Sequence, residues 1–227
     1  MCTPLYSIYA LPFPNSAFMA ATVGRMHVYG DRPSFSGSFD FEDLLDWDIR
    51  KHGKVEMFDW VGFMLSSEDL KPFFRGDMDP LGRKEAAVVR ALRKLPEPYW
   101  VIFCAKGDNE TLRHEFVHCV FGAFPEYKKE VVAFLKTLRL KRARKRLRAM
   151  GYVRGLHFDE LNAYVLTGLV DDLRGLGLAR ARRTLERIFR KHFGFMPKGA
   201  AGLARIKRCV RTIRVRMPRR ETRKRRK

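Results

Sequence analysis

The chain is 227 residues long, 46% hydrophobic and 12% aromatic, with a formal net charge of +21. That composition supports one globular core and excludes a fibrous or wholly disordered chain, and no run approaches the roughly 18 consecutive apolar residues of a membrane span. The charge is lopsided: residues 1–135 carry 16 Lys and Arg against 19 Asp and Glu, net −3, while residues 136–227 carry 30 against 6, net +24.

The opening segment MCTPLYSIYALPFPNS has no basic stretch ahead of its apolar part, so it does not read as a signal peptide. LYSIYALPF at 5–13 reads as a strand, and so do the stretches around AATVGRMHVYG at 20–30 and KVEMFDWVGFML at 54–65; all are rich in β-branched and aromatic residues. Between the last two, SFDFEDLLDWDIRKHG (38–53) predicts a short helix or a turn-rich excursion. SSEDLKPFFRG predicts another short helix, interrupted by Pro72. In DPLGRKEAAVVRALRKL the expected helix has Asp79 as N-cap and Pro80 at its first position, with Ala87, Val88, Ala91, Leu92 and Leu95 along one face.

PYWVIFCAKG (98–107) is a compact apolar run and predicts a strand, either covered within a sheet or an edge open to an extended peptide. DNETLRHEFVHCVFG follows at once, with Asp108 or Asn109 as N-cap, Glu110 in the first turn where the helix dipole favours an acid, and Gly122 as the stop. Residues four apart share a helix face, so His114 and His118 can converge on one tetrahedral ion while Glu115 reaches a water beside it. A third His six residues further on is excluded, because position 124 is Phe. Pro125 is expected to open a long helix that Gly151 ends, which leaves Glu126 and Glu130 too close to fold back. In HFDELNAYVLTGLVDDLRG a new helix begins near His157 or Asp159, with Leu161, Val165, Leu166 and Leu169 on its apolar face. Glu160 then lies in the first turns, 42 residues after His118. Adjacent helical residues point about 100° apart, so Asp159 and Glu160 do not ligate together; Glu160 is favoured as third ligand, with Asp159 behind it. Tyr164, one turn after Glu160, is placed to hydrogen-bond a ligand imidazole or to donate to a developing oxyanion, and Tyr152 and His157 are weaker candidates for that role.

The combination ETLRHEFVHCVF, PEYKKEV, MGY and DELNAYVLTG resembles a group of short gluzincin-like proteins of viral and bacterial origin, and more broadly is similar to the gluzincin metallopeptidases. The resemblance spans roughly residues 55–170 and is firmest over 99–167. It implies a zinc ion held by His114, His118 and Glu160, with Glu115 as general base, acting on a peptide or protein substrate. It also implies a zincin-like α+β fold: a small mixed or antiparallel sheet packed on the HExxH helix and on a second, ligand-bearing helix. Other readings are a basic nucleic-acid-associated protein with a structural zinc site, and an inactive zincin fold serving as an interaction module.

The domain is expected to cover residues 1–200, leaving 201–227 as a basic, flexible tail. KTLRLKRARKRLR (136–148) and RVRMPRRETRKRRK (214–227) concentrate the positive charge, and such blocks attract nucleic acid or another polyanion by counterion release. The four cysteines, Cys2, Cys104, Cys119 and Cys209, show no CxxC spacing, which favours a reducing cytoplasmic or nuclear compartment over a disulfide framework.

Overall fold

A computed structural model of the chain describes residues 7–31, 38–168 and 173–218. Its fold class is α+β, built on a four-stranded mixed sheet. The strands are β1 (Ser7–Phe13), β2 (Gly62–Ser66), β3 (Tyr99–Ala105) and β4 (Val210–Thr212), in the order β2-β3-β1-β4. β1 runs parallel to both β3 and β4, and β2 is antiparallel to β3.

Both faces of the sheet are covered, which is why its strands read as near-continuous apolar runs. Side chains alternate along a strand, and here the two sets feed two separate cores. Tyr9, Leu11, Phe13, Phe63, Leu65, Tyr99, Val101 and Phe103 face one core, while Ile8, Ala10, Met64, Ile102 and Cys104 face the other. The first core is closed by α1 (Ser16–Asp31), α2 (Phe41–His52), α3 (Lys71–Arg75) and α4 (Arg83–Leu92). The second is closed by α5 (Asn109–Ala123), α6 (Pro125–Lys136), α7 (Lys141–Ala149), α8 (His157–Thr167), α9 (Ala179–Phe193) and α10 (Gly199–Cys209).

Several expectations are corrected. The stretch 20–30 is not a strand but lies inside α1, where Met19, Ala20, Val23 and Met26 recur at helical spacing and are fully buried. The helix lies between the sheet and α2 and α4, so apolar residues surround it and blur its period. Only the end of the 54–65 stretch is strand; Met57–Asp59 forms a 3-10 turn ahead of β2. The long helix expected from Pro125 breaks after Lys136: the Thr137 hydroxyl donates to the Phe134 carbonyl at 2.7 Å, and Leu138 and Leu140 turn into the core. Gly122 does not stop α5. It lies within the helix, where a Cβ would come 2.4 Å from the Trp100 indole, so it is the glycine that lets β3 and α5 approach.

The boundary at residue 200 also moves, since α10 crosses it and β4 pairs with β1. Beyond β4, Ile213, Val215 and Met217 pack on the first core. Residues 5–6 of the first expected strand, Leu169, Cys2 and residues 219–227 of the expected tail lie outside the described residues. Among the described cysteines, Cys104 and Cys119 are free, buried thiols. No helix among the described residues is long and apolar enough to cross a membrane.

α4 starts at Arg83 with Gly82 as its cap, not at Asp79–Pro80. The reason is a buried ion pair. Arg25 Nη1 lies 2.9 Å from Glu85 Oε2 and donates to the Pro80 carbonyl at 3.2 Å, while Nη2 donates to the Met78 carbonyl at 2.5 Å. Residues 78–80 are thereby drawn over the guanidinium instead of winding into the helix, and the Glu85 carboxylate accepts the Gly82 N–H at 3.2 Å. Arg25→Met leaves a buried carboxylate unpaired, and urea unfolding should show a loss of about 3–5 kcal/mol; adding Glu85→Leu should restore most of it.

Candidate metal centre

α5 leaves the C-terminal end of β3 directly, and its first turn is fixed by Asp108, whose carboxylate accepts the N–H groups of Glu110 and Thr111 at 3.1 and 2.9 Å. The helix then lies close on β2 and β3. At Gly62 a Cβ would come 2.3 Å from the Thr111 methyl, so the first residue of β2 has no room for a side chain. On its other side α5 meets α8, which Tyr127 of α6 ties down by donating its hydroxyl to Asn162 Oδ1 at 2.9 Å.

This seam brings His114, His118 and Glu160 together. The two Nε2 atoms lie 3.1 Å apart, and Glu160 Oε2 lies 3.8 Å from that of His114 and 3.7 Å from that of His118. A point equidistant from three atoms so spaced is about 2.1 Å from each, which is the bond length of a zinc-type ion to imidazole nitrogen and carboxylate oxygen.

The far nitrogens of both rings are occupied. His118 Nδ1 lies 2.8 Å from Asp159 Oδ1. His114 Nδ1 lies 3.4 Å from Thr167 Oγ1, and because that hydroxyl donates to the Ala163 carbonyl at 2.8 Å, it offers the ring a lone pair. Asp159 and Thr167 thus favour hydrogen on Nδ1 of each ring, which leaves the Nε2 lone pairs for a metal once His118 has lost its second proton. Glu160 Oε2 is buried without a hydrogen-bond partner. Three ligand atoms therefore face one point, and once His118 gives up its second proton that arrangement can hold a metal ion.

The remaining groups surround this point. Burial pushes the Glu115 carboxyl above its usual value, against the pull of His118 and His114. For His118, burial alone would lower the pKa, but the Asp159 carboxylate, with Glu160 and Glu115, carries it up to about 10. Glu115, His114, Tyr152, Tyr164 and Thr167 line a cleft of about 540 Å³ that Val61 and Gly62 bound on the sheet side. The Tyr164 ring lies 4.6 Å from that of His114, and its hydroxyl is 2.8 Å from that of Tyr152. Burial raises both phenols, so both are neutral donors. His157 is elsewhere: fully buried, it donates from Nε2 to the Tyr152 carbonyl at 3.1 Å and holds that loop. β3 is interior to the sheet, so the strand bordering the cleft with an open side is β2.

Thr167 was not among the residues expected here. Its spacing of seven from Glu160 and three from Tyr164 puts it on the same face of α8, a signal present in the sequence.

Comparison with protein-family models, with curated proteins and with solved structures finds no match.

A group of three ligand atoms predicts at most one metal ion per chain, to be checked by elemental analysis after loading and desalting. Glu160→Gln should abolish retention, whereas Asp159→Asn should weaken affinity by about 10–100-fold. Because the metal must displace the proton that Asp159 favours on His118, affinity should fall as pH is lowered, by about tenfold per unit for one displaced proton.

Proposed function

We propose that the protein is a zinc-dependent hydrolase, and within that class a metallopeptidase of gluzincin type acting on peptide or protein substrates. The observation that carries this reading is the convergence of His114 Nε2, His118 Nε2 and Glu160 Oε2 on one point, beside a cleft onto which Glu115 also faces. Structural zinc sites are closed by four protein ligands, whereas three protein ligands and an open side suit catalysis. A purely structural site also has no use for a buried carboxylate at position 115.

When bound, zinc supplies a Lewis acid that activates water and polarises a carbonyl. His114, His118 and Glu160 would hold it, with Asp159 and Thr167 fixing the two imidazoles. Glu115 acts as general base. Its raised pKa makes it able to accept the proton of an attacking water and to release that proton to the departing amide nitrogen. Of the two tyrosine hydroxyls, whichever accepts from the other keeps its own hydrogen free, and that hydrogen serves the carbonyl oxygen as negative charge develops there. We assign this donor role to Tyr164, with Tyr152 orienting it.

The test is Glu115→Gln, which keeps the size of the side chain and removes its basicity. Metal content and melting temperature should stay as in wild type, while cleavage of a peptide library falls by about 10²–10⁴ or more. Equal cleavage by both proteins with metal bound in both, or none by either, would favour a structural ion in its place.

A further inference from the structure

From Val131 to Phe158 the chain carries nine Lys and Arg and no Asp or Glu. Six of these cations fall within the nine residues of α7. The helix is anchored by Ala143 and Leu147, both buried in the second core, and by Arg144, whose guanidinium lies 5.4 Å over the Phe158 ring with Nε 3.5 Å from His157 Nδ1. Lys141, Arg142, Lys145, Arg146 and Arg148 are exposed. At 100° per residue they fill a continuous arc of about 160° on the outward side.

Within the helix only Arg146 and Arg148, in its last turn, sit where the dipole favours a cation. Lys141 and Lys145, Arg142 and Arg146, and Arg144 and Arg148 are like charges four apart, a spacing that destabilises an isolated helix. Its first turn holds Lys141 and Arg142 and no acid, where the dipole favours a negative charge. Among the described residues, no carboxylate lies within ion-pair distance of Lys141, Arg142, Lys145 or Arg148. An anionic partner relieves all of these costs together.

The shape of the arc narrows the partner. A flat anionic surface meets only the middle of a convex helix, whereas a groove walled by phosphates on both sides engages the whole arc. An α-helix with its side chains is about 10–12 Å across and the major groove of B-DNA about 12 Å wide. An amphipathic helix binds a lipid surface through its apolar face, and here that face, Ala143 and Leu147, is turned into the core. Four of the six cations are Arg, whose planar fork pairs bidentately with phosphate. We infer that α7 is a docking surface for the phosphate backbone of double-stranded DNA, engaged without regard to base sequence. The inference is independent of the metal-centre reading.

The full-length chain carrying Lys141→Gln, Arg142→Gln, Lys145→Gln and Arg148→Gln tests it against wild type, with binding to a random-sequence duplex followed by fluorescence anisotropy. A control variant carries Gln at Arg180, Arg182, Arg183 and Arg187, four exposed cations of α9. Between about 50 and 200 mM salt, log affinity plotted against log salt should lose about 3–4 units of slope in the α7 variant, close to 0.9 per phosphate contact, and much less in the control. Circular dichroism should show the α7 variant folded, with an unchanged or higher melting temperature, because self-repulsion has been removed. An unchanged slope in the α7 variant overturns the proposal. So does an equal loss in both variants, which would mean that net charge alone drives binding, or a defect seen only with phosphatidylserine vesicles.

Discussion

Taking Glu115, His118, Asp159 and Glu160 largely out of water at the seam between α5 and α8 is the constraint on which the rest of the structure depends. A desolvated carboxylate is tolerated only with partners held in good geometry, and three carboxylates facing two imidazoles leave a surplus of negative charge. A divalent cation among the three acceptor atoms reduces that surplus further than a proton on His118 does. Such a site survives only if its two helices cannot drift apart. The close approaches at Gly62 and Gly122 press α5 onto the sheet, the bond from Tyr127 to Asn162 fixes α8, and Phe116, Val117, Val120, Leu161 and Val165 fill the seam around the polar groups.

Much of this seam is legible in the sequence because its signals are local. An Asp ahead of a helical run, two His four apart and an acid in the first turns of a later helix are statements about neighbouring residues, and the corresponding elements, β3, α5 and α8, form as the periodicity predicts. The errors lie where long-range contacts decide. α1 resembles a strand because it is enclosed on several sides. Pro80 is held away from the helix start by Arg25, some 55 residues earlier in the chain. The separate helix α7 follows from two leucines turning inward after Thr137, which a charge-rich window conceals. The open strand of the sheet beside the cleft is β2 and not β3, a matter of strand order that no single segment encodes.

The sheet divides the chain's chemistry as well as its packing. One side carries α1 to α4 and the other α5 to α10, with Lys and Arg worn outward on α7 and α9 while their apolar stripes close the second core. The candidate metal centre lies on that second side, with its two histidines from the near-neutral segment of the chain and its carboxylates at 159 and 160 from the basic one. A cluster of negative groups is thus enclosed within a chain of net charge +21, and the cationic helices set the field that any approaching ligand meets.

The pairing of β1 with β4 joins residues 8–10 to residues 210–212, some two hundred positions apart. During synthesis, therefore, β1 and β3 can meet and the α5–α8 seam can assemble while one side of β1 still exposes unpaired N–H and C=O groups. At about 5–20 residues per second, the fifty residues between Glu160 and β4 take several seconds to appear. Until then that side of β1 is an open edge, the kind on which chains add to one another. The short strand β4, by arriving late and pairing with residues 8–10, covers that side of β1 and leaves a three-residue strand as the edge in its place.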